Sequence, residues 1–391
     1  MNKNGIGLVV LTMALVPSDT ASGQSVTDVL TFLVTNQGVQ TGSVDRDRAA
    51  AQATSVTISR ALLADLATLP VATSSSGFLY RLNPELGTEE RVTPSFGPFF
   101  VERALTAGRE QMSLGVSFQQ LHFTSLDGNN LRNGSLVTTA NQFVDERAPF
   151  DVDQLTLNID ASVATLYGSL GVTDNLEVGF AAPMVSLILD GSRTNIYRGR
   201  TFTQATAHAT TFGLADVVLR AKLNVYRREA SGLAGAVDVR LPTGRQQNLL
   251  GAGSTAVKFS AIGSLERGRL STHVNGGVSI GGLATEFDYG GALALAATGR
   301  LTVVGEVIGR WINMPGSVVP SSAPNPTLQG VETIRLVPGD SKLNIVSVVP
   351  GMKWNLSSTW VLAANVRIPL TNAGLTAPVT PFVGLDYELG R

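Results

Sequence analysis

The feature that most constrains this chain is an alternation of connection lengths. From about residue 110 onward, segments with period-2 hydrophobic patterning are joined alternately by long polar stretches and by very short turns. Bacterial outer-membrane barrels place short turns on the periplasmic side and long loops outside, so the alternation predicts a transmembrane β-barrel. The long connections are predicted at 124–150, 191–211, 243–255, 282–287, 313–341 and 370–378, and the short ones at 171–174, 228–230, 267–268, 299 and 356–357.

Strand length supports this fold. Several segments reach the roughly 9 to 11 residues that a tilted strand needs to cross a bilayer, whereas strands of soluble sheets usually have about 5 to 6. We therefore predict an all-β, antiparallel up-and-down barrel of about 12 strands with a small helical N-terminal region; 10 to 14 strands remain open. The candidate strands are 110–123, 154–170, 175–190, 212–227, 231–242, 256–266, 269–281, 288–298, 300–312, 342–355, 358–369 and 379–389.

Composition excludes several classes of protein. Only 15% of the 391 residues are charged, against about a quarter in soluble domains, which fits a wall that faces lipid. The formal net charge of -1 predicts no nucleic-acid partner, because phosphate binding needs a concentrated basic face. The chain has no cysteine, which excludes thiol chemistry and thiolate metal sites, and no cofactor is expected.

The N-terminus reads as an export signal. Lys3 precedes an apolar run over residues 6–16 and a small-residue end at 21–23, which is typical of a secretory signal peptide. We therefore predict three parts: a signal peptide at 1–23, an N-terminal region at 24–95 and a barrel at 96–391. The predicted location is the outer membrane, and the expected partners are its lipids, the barrel-assembly machinery and a small-molecule solute.

The region 24–95 differs in kind from the rest of the chain. Apolar residues recur at helical spacing over 26–34 and 47–69, and the stretch after Pro70 is extended and proline-rich. Two interpretations stay open: a periplasmic extension beneath the barrel, or a plug that enters the lumen and gates it. The plug interpretation predicts that Arg81, Glu85, Glu89, Glu90 and Arg91 pair with inward Arg220, Arg240, Glu306 or Arg310.

Strand phase predicts which side chains line the lumen. In 216–226, the apolar Val217, Leu219, Ala221, Leu223 and Val225 alternate with polar residues, so the apolar side is expected to face lipid. Charges of both signs inside the barrel can pair and fill it or flank a water-filled path. The lumen-lining candidates are Asp216, Arg220, Lys222, Asn224, Asp238, Arg240, Lys258, His273, Asn275, Glu306, Arg310, Arg367, Asp386 and Glu388.

The last segment carries a candidate assembly signal. Gly384, Tyr387 and Leu389 resemble the final-strand pattern of outer-membrane barrels, Gly-x-x-aromatic-x-hydrophobic. Gly390 and Arg391 follow in place of a terminal aromatic residue, which departs from that pattern.

Glycine-rich runs carry a family resemblance over roughly residues 150–390. The runs are Gly171 to Gly179, Gly213 to Val217, Leu241 to Gly244 and Gly251 to Ser254. The chain resembles the phenol-degradation meta-pathway transporter-like family of outer-membrane barrels. The resemblance implies a channel for small hydrophobic or aromatic molecules.

Candidate chemistry is sparse. An esterase would need a histidine and a hydroxyl placed together on the lipid face, but His273 phases into the lumen and His208 falls in a predicted loop, so we expect no enzyme and no catalytic residue. The aspartates of the pairs Asp45/Asp47 and Asp151/Asp153 are interpreted as solvated loop charges, and no metal site is expected.

Three functions are therefore weighed. The leading hypothesis is a passive outer-membrane channel for uptake or efflux of small, hydrophobic or aromatic molecules. The alternatives are a structural barrel that displays its long loops without transport and, less favoured, an outer-membrane lipid hydrolase.

Overall fold

The computed structural model describes residues 24–35, 55–64, 66, 80–83, 88–91, 93–228, 231–315, 318–325, 327–339, 342–357 and 359–389. The predicted signal peptide, residues 1–23, lies outside this part of the chain, and so do the side chains of residues 80–91.

Twelve antiparallel strands form a closed barrel, as the sequence predicts. Each strand pairs with its neighbour along the barrel wall, and β1 closes the ring by pairing with β12. The shortest wall contact joins residues 176–181 of β3 to residues 218–223 of β4. The strands are β1 Met112–Phe123, β2 Asp151–Gly171, β3 Leu176–Tyr197, β4 Val217–Arg228, β5 Ser231–Leu241, β6 Ala256–Arg267, β7 Leu270–Gly281, β8 Glu286–Ala296, β9 Leu301–Pro315, β10 Lys342–Asn355, β11 Trp360–Pro369 and β12 Thr380–Leu389.

The outer face of the barrel is apolar. On β4, Leu219, Leu223 and Val225 are exposed while Lys222 and Asn224 are buried, which confirms the predicted phase. Exposed apolar side chains are stable there because lipid, not water, surrounds them. Aromatic residues collect near the end with the short turns, as in the girdles of membrane barrels: they are Tyr226, Trp354, Trp360 and Tyr387. We call this end periplasmic and the opposite end extracellular.

Strands β2 and β3 rise beyond the barrel as a hairpin of 21 and 22 residues. Four further strands join this hairpin to make a six-stranded extracellular sheet. The prediction of loops over 124–150, 191–211 and 313–341 was therefore wrong in large part, because these stretches contain strands. In sheet order the members are Val318–Pro324, Val331–Pro338, Leu136–Phe143, β2, β3 and Arg200–Leu214.

Shorter elements complete the described fold. Ser125–Leu126, Asn129–Asn130 and Leu375–Thr376 form a small sheet, Tyr80–Asn83 pairs with Thr88–Arg91, and Gln246–Asn248 forms a 3₁₀ turn.

Side-chain polarity inverts where β2 leaves the barrel. In its lower part Thr165 and Tyr167 point inward and Leu166 points to lipid. In its upper part Leu155 and Leu157 are fully buried on the inner face, while Thr156 lies on the outer face. The extracellular sheet therefore has a core of the kind found in water-soluble proteins, with its apolar face turned inward.

Two short helices occupy that core. Helix α1, Val26–Thr35, begins with a capping box: the Ser25 backbone N–H donates to Asp28, and the Asp28 N–H donates to the Ser25 hydroxyl, each at 3.1 Å. Helix α2 spans residues 55–64. Helix α1 matches the predicted segment 26–34 and ends one residue later, and helix α2 lies within the predicted segment 47–69. No helix in the described chain is long and apolar enough to cross a membrane.

Helix α1 packs closely against the sheet because the facing residues are small. Leu30 and Leu33 are fully buried in one cluster with Ala205 and Ala209. A Cβ at Gly191 would overlap the end of the Leu33 side chain, so a larger residue there would force the leucine to shift. At the helix end, buried Arg193 donates to the Val34 carbonyl at 2.5 Å, which satisfies a carbonyl that the helix leaves unpaired.

Candidate functional site

The periplasmic half of the lumen is filled by the chain immediately before β1. We call residues 93–107 the lumen segment. It enters near the periplasmic end, where the Phe96 N–H donates to Thr302 at 3.1 Å, and it rises to residues 99–102. It then descends to the first periplasmic turn, where the Thr106 hydroxyl donates to the Asp174 carbonyl at 2.6 Å.

Glu306 holds the top of the lumen segment. Its carboxylate accepts hydrogen bonds from three consecutive backbone amides, those of Phe99, Phe100 (3.0 Å) and Val101 (3.1 Å). Charge-assisted bonds of this kind are about twice as strong as neutral ones. The Lys353 ammonium donates to the Pro98 carbonyl at 2.7 Å and lies 4.9 Å from the centre of the Phe99 ring.

The descending arm is held by side chains of β3, β4 and β6. Lys222 donates to the carbonyls of Arg103 and Leu105 at 3.3 Å each, and Asn224 donates to Ala104 at 2.9 Å. The Ala104 N–H donates to Ser264 at 2.8 Å, and the Ala107 N–H donates to Glu177 at 2.8 Å. A buried backbone without regular secondary structure is thus satisfied by polar groups of the wall.

Sequence reasoning placed a possible plug in 24–95 and missed the role of residues 96–107, which it assigned to the barrel. Arg220, one of the predicted plug partners, pairs with Glu102 of the lumen segment and with Asp238. The side chains of the predicted partners Arg81, Glu85, Glu89, Glu90 and Arg91 lie outside the described residues. Gating by residues 24–95 stays a prediction.

A cavity of about 190 Å³ remains above the lumen segment. Its wall carries a belt of alternating charge that crosses β4 to β9. Arg220 donates to Asp238 at 2.5 and 2.6 Å, and Lys258 pairs with Asp288 at 3.0 Å. Gly277 lies under this second pair: a Cβ there would stand 3.1 Å from Lys258 Cε and 2.8 Å from a serine hydroxyl, so glycine lets the lysine reach across β7.

The cavity wall has a charged part and an apolar part. Arg240, Glu286 and Arg310 continue the charged part toward the extracellular end. The cavity is therefore amphipathic, with charged side chains on one part of its wall and apolar side chains on another. The apolar members are Phe100, Val101, Val218, Ile262, Leu283 and Ile308.

Two other predicted lumen residues, Asp216 and Asp386, form hydrogen bonds within the protein. Asp216 is fully buried and accepts the N–H groups of Gly244 at 3.0 Å and Ala252 at 2.8 Å, so it anchors the 242–255 connection. Asp386 accepts the Tyr167 hydroxyl at 2.6 Å.

Four further predicted lumen positions lie on the inner wall or near the two ends of the barrel. His273 is buried against Ser264 at 2.8 Å, and Asn275 lies beside Glu102. Arg367 borders a smaller pocket near the extracellular end, and Glu388 lies half-buried near the periplasmic end. In the candidate assembly signal, Tyr387 packs on Trp360 with ring centres 4.7 Å apart.

Asp151 and Asp153 are not solvated loop charges, which corrects their interpretation. Both are buried on the inner face of the extracellular sheet. Asp153 pairs with Arg193 at 2.5 Å, and Asp151 accepts bonds from Asn195 at 2.7 Å and Asn141 at 2.8 Å. Burial raises the pKa of Asp151 above its usual value, and these two amides oppose the rise.

Metal-binding geometry is not found in the described part of the chain, where no three histidine, aspartate or glutamate side chains converge. Asp45 and Asp47 lie outside that part.

Comparison with known proteins finds only distant similarity. The chain matches no protein-family model and no curated protein. Among solved structures it is similar to an outer membrane channel from Pseudomonas putida F1, with 14% identity, a TM-score of 0.45, and 73% of this chain and 98% of that chain covered. It is also similar to Pseudomonas putida OprB, with 8% identity, a TM-score of 0.28 and coverage of 72% and 93%. The outer membrane protease OmpT from Escherichia coli gives 9% identity, a TM-score of 0.27 and coverage of 71% and 97%.

Proposed function

We propose that this protein is an outer-membrane channel for passive passage of small molecules. The observation that carries the proposal is the construction of the lumen. A barrel of about eight strands is filled by its own side chains, and wider ones leave space. Here twelve strands enclose a separate segment, held by polar contacts, below a cavity. The segment also packs Phe96, Phe99 and Ala104 against the wall, so it narrows the path, while the cavity above it keeps part of the lumen open.

The expected solutes are small and hydrophobic or aromatic. The resemblance to the phenol-degradation meta-pathway transporter-like family supports this class. The cavity supports it as well, because Phe100, Val218 and Ile308 offer an apolar surface and the wall charges of the belt include two ion pairs, Arg220–Asp238 and Lys258–Asp288. A flat, weakly polar molecule can contact the apolar part of the wall without breaking an ion pair and leaving a buried charge without its counter-ion.

Conductance in planar bilayers tests the proposal. The wild-type barrel should conduct weakly, and Glu306→Ala should conduct more, because it removes the acceptor of three amide hydrogen bonds that hold the lumen segment. Glu332→Ala, which removes an exposed carboxylate of the extracellular sheet, is the matched control and should leave conductance unchanged. Heat-modifiable migration of each variant on gels verifies that the barrel is folded.

A structural role is the second candidate, and the six-stranded extracellular sheet with its own core favours it. If the folded wild type and Glu306→Ala both fail to conduct and liposomes containing them do not swell in small neutral solutes, the channel is excluded and the display of this sheet becomes the better explanation.

A further inference from the structure

Three polar side chains form a hydrogen-bonded line on the outer face of the protein. The edge strand Arg200–Leu214 pairs with β3 and places His208 opposite Asp190. His208 Nδ1 lies 2.6 Å from Asp190 Oδ1, and His208 Nε2 lies 2.9 Å from the Thr210 hydroxyl. The order carboxylate, imidazole, hydroxyl is that of a group that orients a base, the base itself and the nucleophile it activates.

This arrangement revises the position of His208. The sequence predicted that this histidine lies in a loop. The expectation that the protein is not an enzyme depended in part on that predicted position. In the structure it lies in a strand, where residues two apart share a face. Thr210 is therefore held beside it by the backbone of one strand, and Asp190 by the neighbouring strand.

The line lies at the upper margin of the lipid-facing surface. Phe212, two residues beyond Thr210 on the same face, is 53% exposed, and Ile188, the cross-strand partner of Thr210, is 39% exposed. On the other side the outer face turns polar, with Asn158 and Thr206 around a shallow depression that includes His208. A lipid of the outer leaflet would place its acyl chains below Thr210 and its polar part above.

Backbone donors are available next to the hydroxyl. Arg200–Leu214 is the last strand of its sheet, and within the described residues no strand pairs with its second edge. In an antiparallel edge strand every second N–H points away from the sheet. Such amides near Thr210 can donate to the oxygen that gains charge when a carbonyl is attacked.

We propose that Asp190, His208 and Thr210 form a hydrolytic site for acyl esters presented by the outer leaflet of the membrane. Thr210 Oγ attacks the ester carbonyl carbon while His208 Nε2 takes the hydroxyl proton. The carbon–oxygen bond to the alcohol breaks, and His208 returns the proton to the leaving alkoxide. Water then attacks acyl-Thr210 with His208 as base, which releases the carboxylic acid and restores the threonine hydroxyl.

The other two histidines of the chain differ from His208 in their hydrogen-bond partners or in their exposure. His122 faces Asp160 at 2.6 Å on the same outer face, but no hydroxyl of the described residues forms a hydrogen bond with its ring. His273 meets a serine but is fully buried beneath the lumen segment, out of reach of a lipid. Only His208 combines a carboxylate, a hydroxyl and an exposed position within the described chain.

The test measures ester hydrolysis by the full-length folded barrel in detergent. The probes are p-nitrophenyl octanoate and phosphatidylethanolamine in mixed micelles. His208→Ala and Thr210→Val should each lower the rate by about 100-fold or more, the usual contribution of a general base or nucleophile, and Thr210→Ser should retain activity. His122→Ala, the matched control, should keep the wild-type rate.

A covalent probe provides a second readout. A fluorophosphonate should label the wild type at Thr210, as mapped by mass spectrometry of the labelled peptide, and should not label His208→Ala. Asp190 acts through the histidine as a positioning residue. Asp190→Asn should lower kcat and move the pH profile of kcat/KM, and Asp190→Glu should recover part of the activity.

The proposal is overturned if folded Thr210→Val hydrolyses both esters as fast as the wild type. It is also overturned if the wild type neither exceeds the rate of His208→Ala nor takes up the fluorophosphonate at Thr210. All substituted side chains are exposed, and heat-modifiable migration verifies that each variant is folded. Conductance should be unaffected by these changes, so this result is independent of the channel proposal.

Discussion

The two ends of strand β2 follow opposite rules of polarity. In the membrane, Leu166 faces out and Thr165 faces in; above it, Thr156 faces out and Leu157 faces in. The backbone and the period of two are unchanged along the strand. Two things change along the strand. Outside, lipid surrounds the lower part and water the upper part. Inside, polar groups of the wall hold the backbone of the lumen segment in the lower part, whereas apolar helices pack against the upper part. Period 2 therefore identifies a strand, while the side on which the apolar residues lie identifies its surroundings.

The largest effect should come from breaking the ion pair inside the extracellular half. Arg193 and Asp153 are both buried, so Arg193→Met leaves a buried carboxylate without its cation and should destabilise this half by about 3–5 kcal/mol. Protection of helix α1 against hydrogen exchange in urea measures the loss. The double variant Arg193→Met/Asp153→Met should lose less, and a double variant worse than the single one would contradict the explanation.

Charge on the outer face should separate the two ends of β2 directly. Leu166→Arg puts a cation in the lipid band and should cost about 2–4 kcal/mol. Thr156→Arg lies on the same face of the same strand, above the band, and should cost almost nothing. Urea unfolding in lipid vesicles compares the two, and equal costs would mean that lipid surrounds both positions.

Crowding of helix α1 should have a smaller effect. Gly191→Ala introduces a Cβ that overlaps Leu33 and should destabilise the extracellular half by about 1–3 kcal/mol. Gly305→Ala is the control in the membrane half, because a Cβ there meets nothing within 4 Å. Hydrogen exchange of helix α1 should accelerate in the first variant alone; unchanged exchange would show that the helix can shift at little cost.

The smallest effect is expected at an exposed pair. His122 and Asp160 are 2.6 Å apart, with side chains 55% and 29% exposed, and exposed ion pairs contribute about 1 kcal/mol or less. His122→Ala should therefore change the urea midpoint slightly. A loss as large as that of Arg193→Met would show that the outer face of the extracellular half is not in contact with water.

Sequence predicted the barrel well for a physical reason. Lipid makes one face of each strand uniformly apolar, and a segment such as 342–355 was placed with the bounds that the structure gives it, Lys342–Asn355. The extracellular strands lack that signal. Arg200–Leu214 carries small alanines on its inner face and mostly threonines and histidine outside, a composition that also suits a polar loop.

The lumen segment escaped prediction because its partners are distant in sequence. Glu306 lies 207 residues from Phe99, and Lys353 lies 255 residues from Pro98. Pro94, Gly97 and Pro98 give the segment no periodicity that sequence reasoning can use. Inward charges such as Lys222 were identified by phase, but what they hold became visible only in three dimensions.

The position of helix α1 has a consequence for the order of folding. Its hydrogen bonds reach Arg193, 159 residues later, and Gln247, 220 residues later. Contacts between residues so far apart in sequence form late in folding. Closing the loop between them costs conformational entropy before the contact contributes any stabilisation. The helix is synthesised early, yet its apolar face, with Val29, Leu30 and Leu33, stays uncovered until β3 is in place. Anything that delays wall assembly should therefore appear first as aggregation through this helix, and a chaperone that covers it during transit should raise the yield of folded barrel.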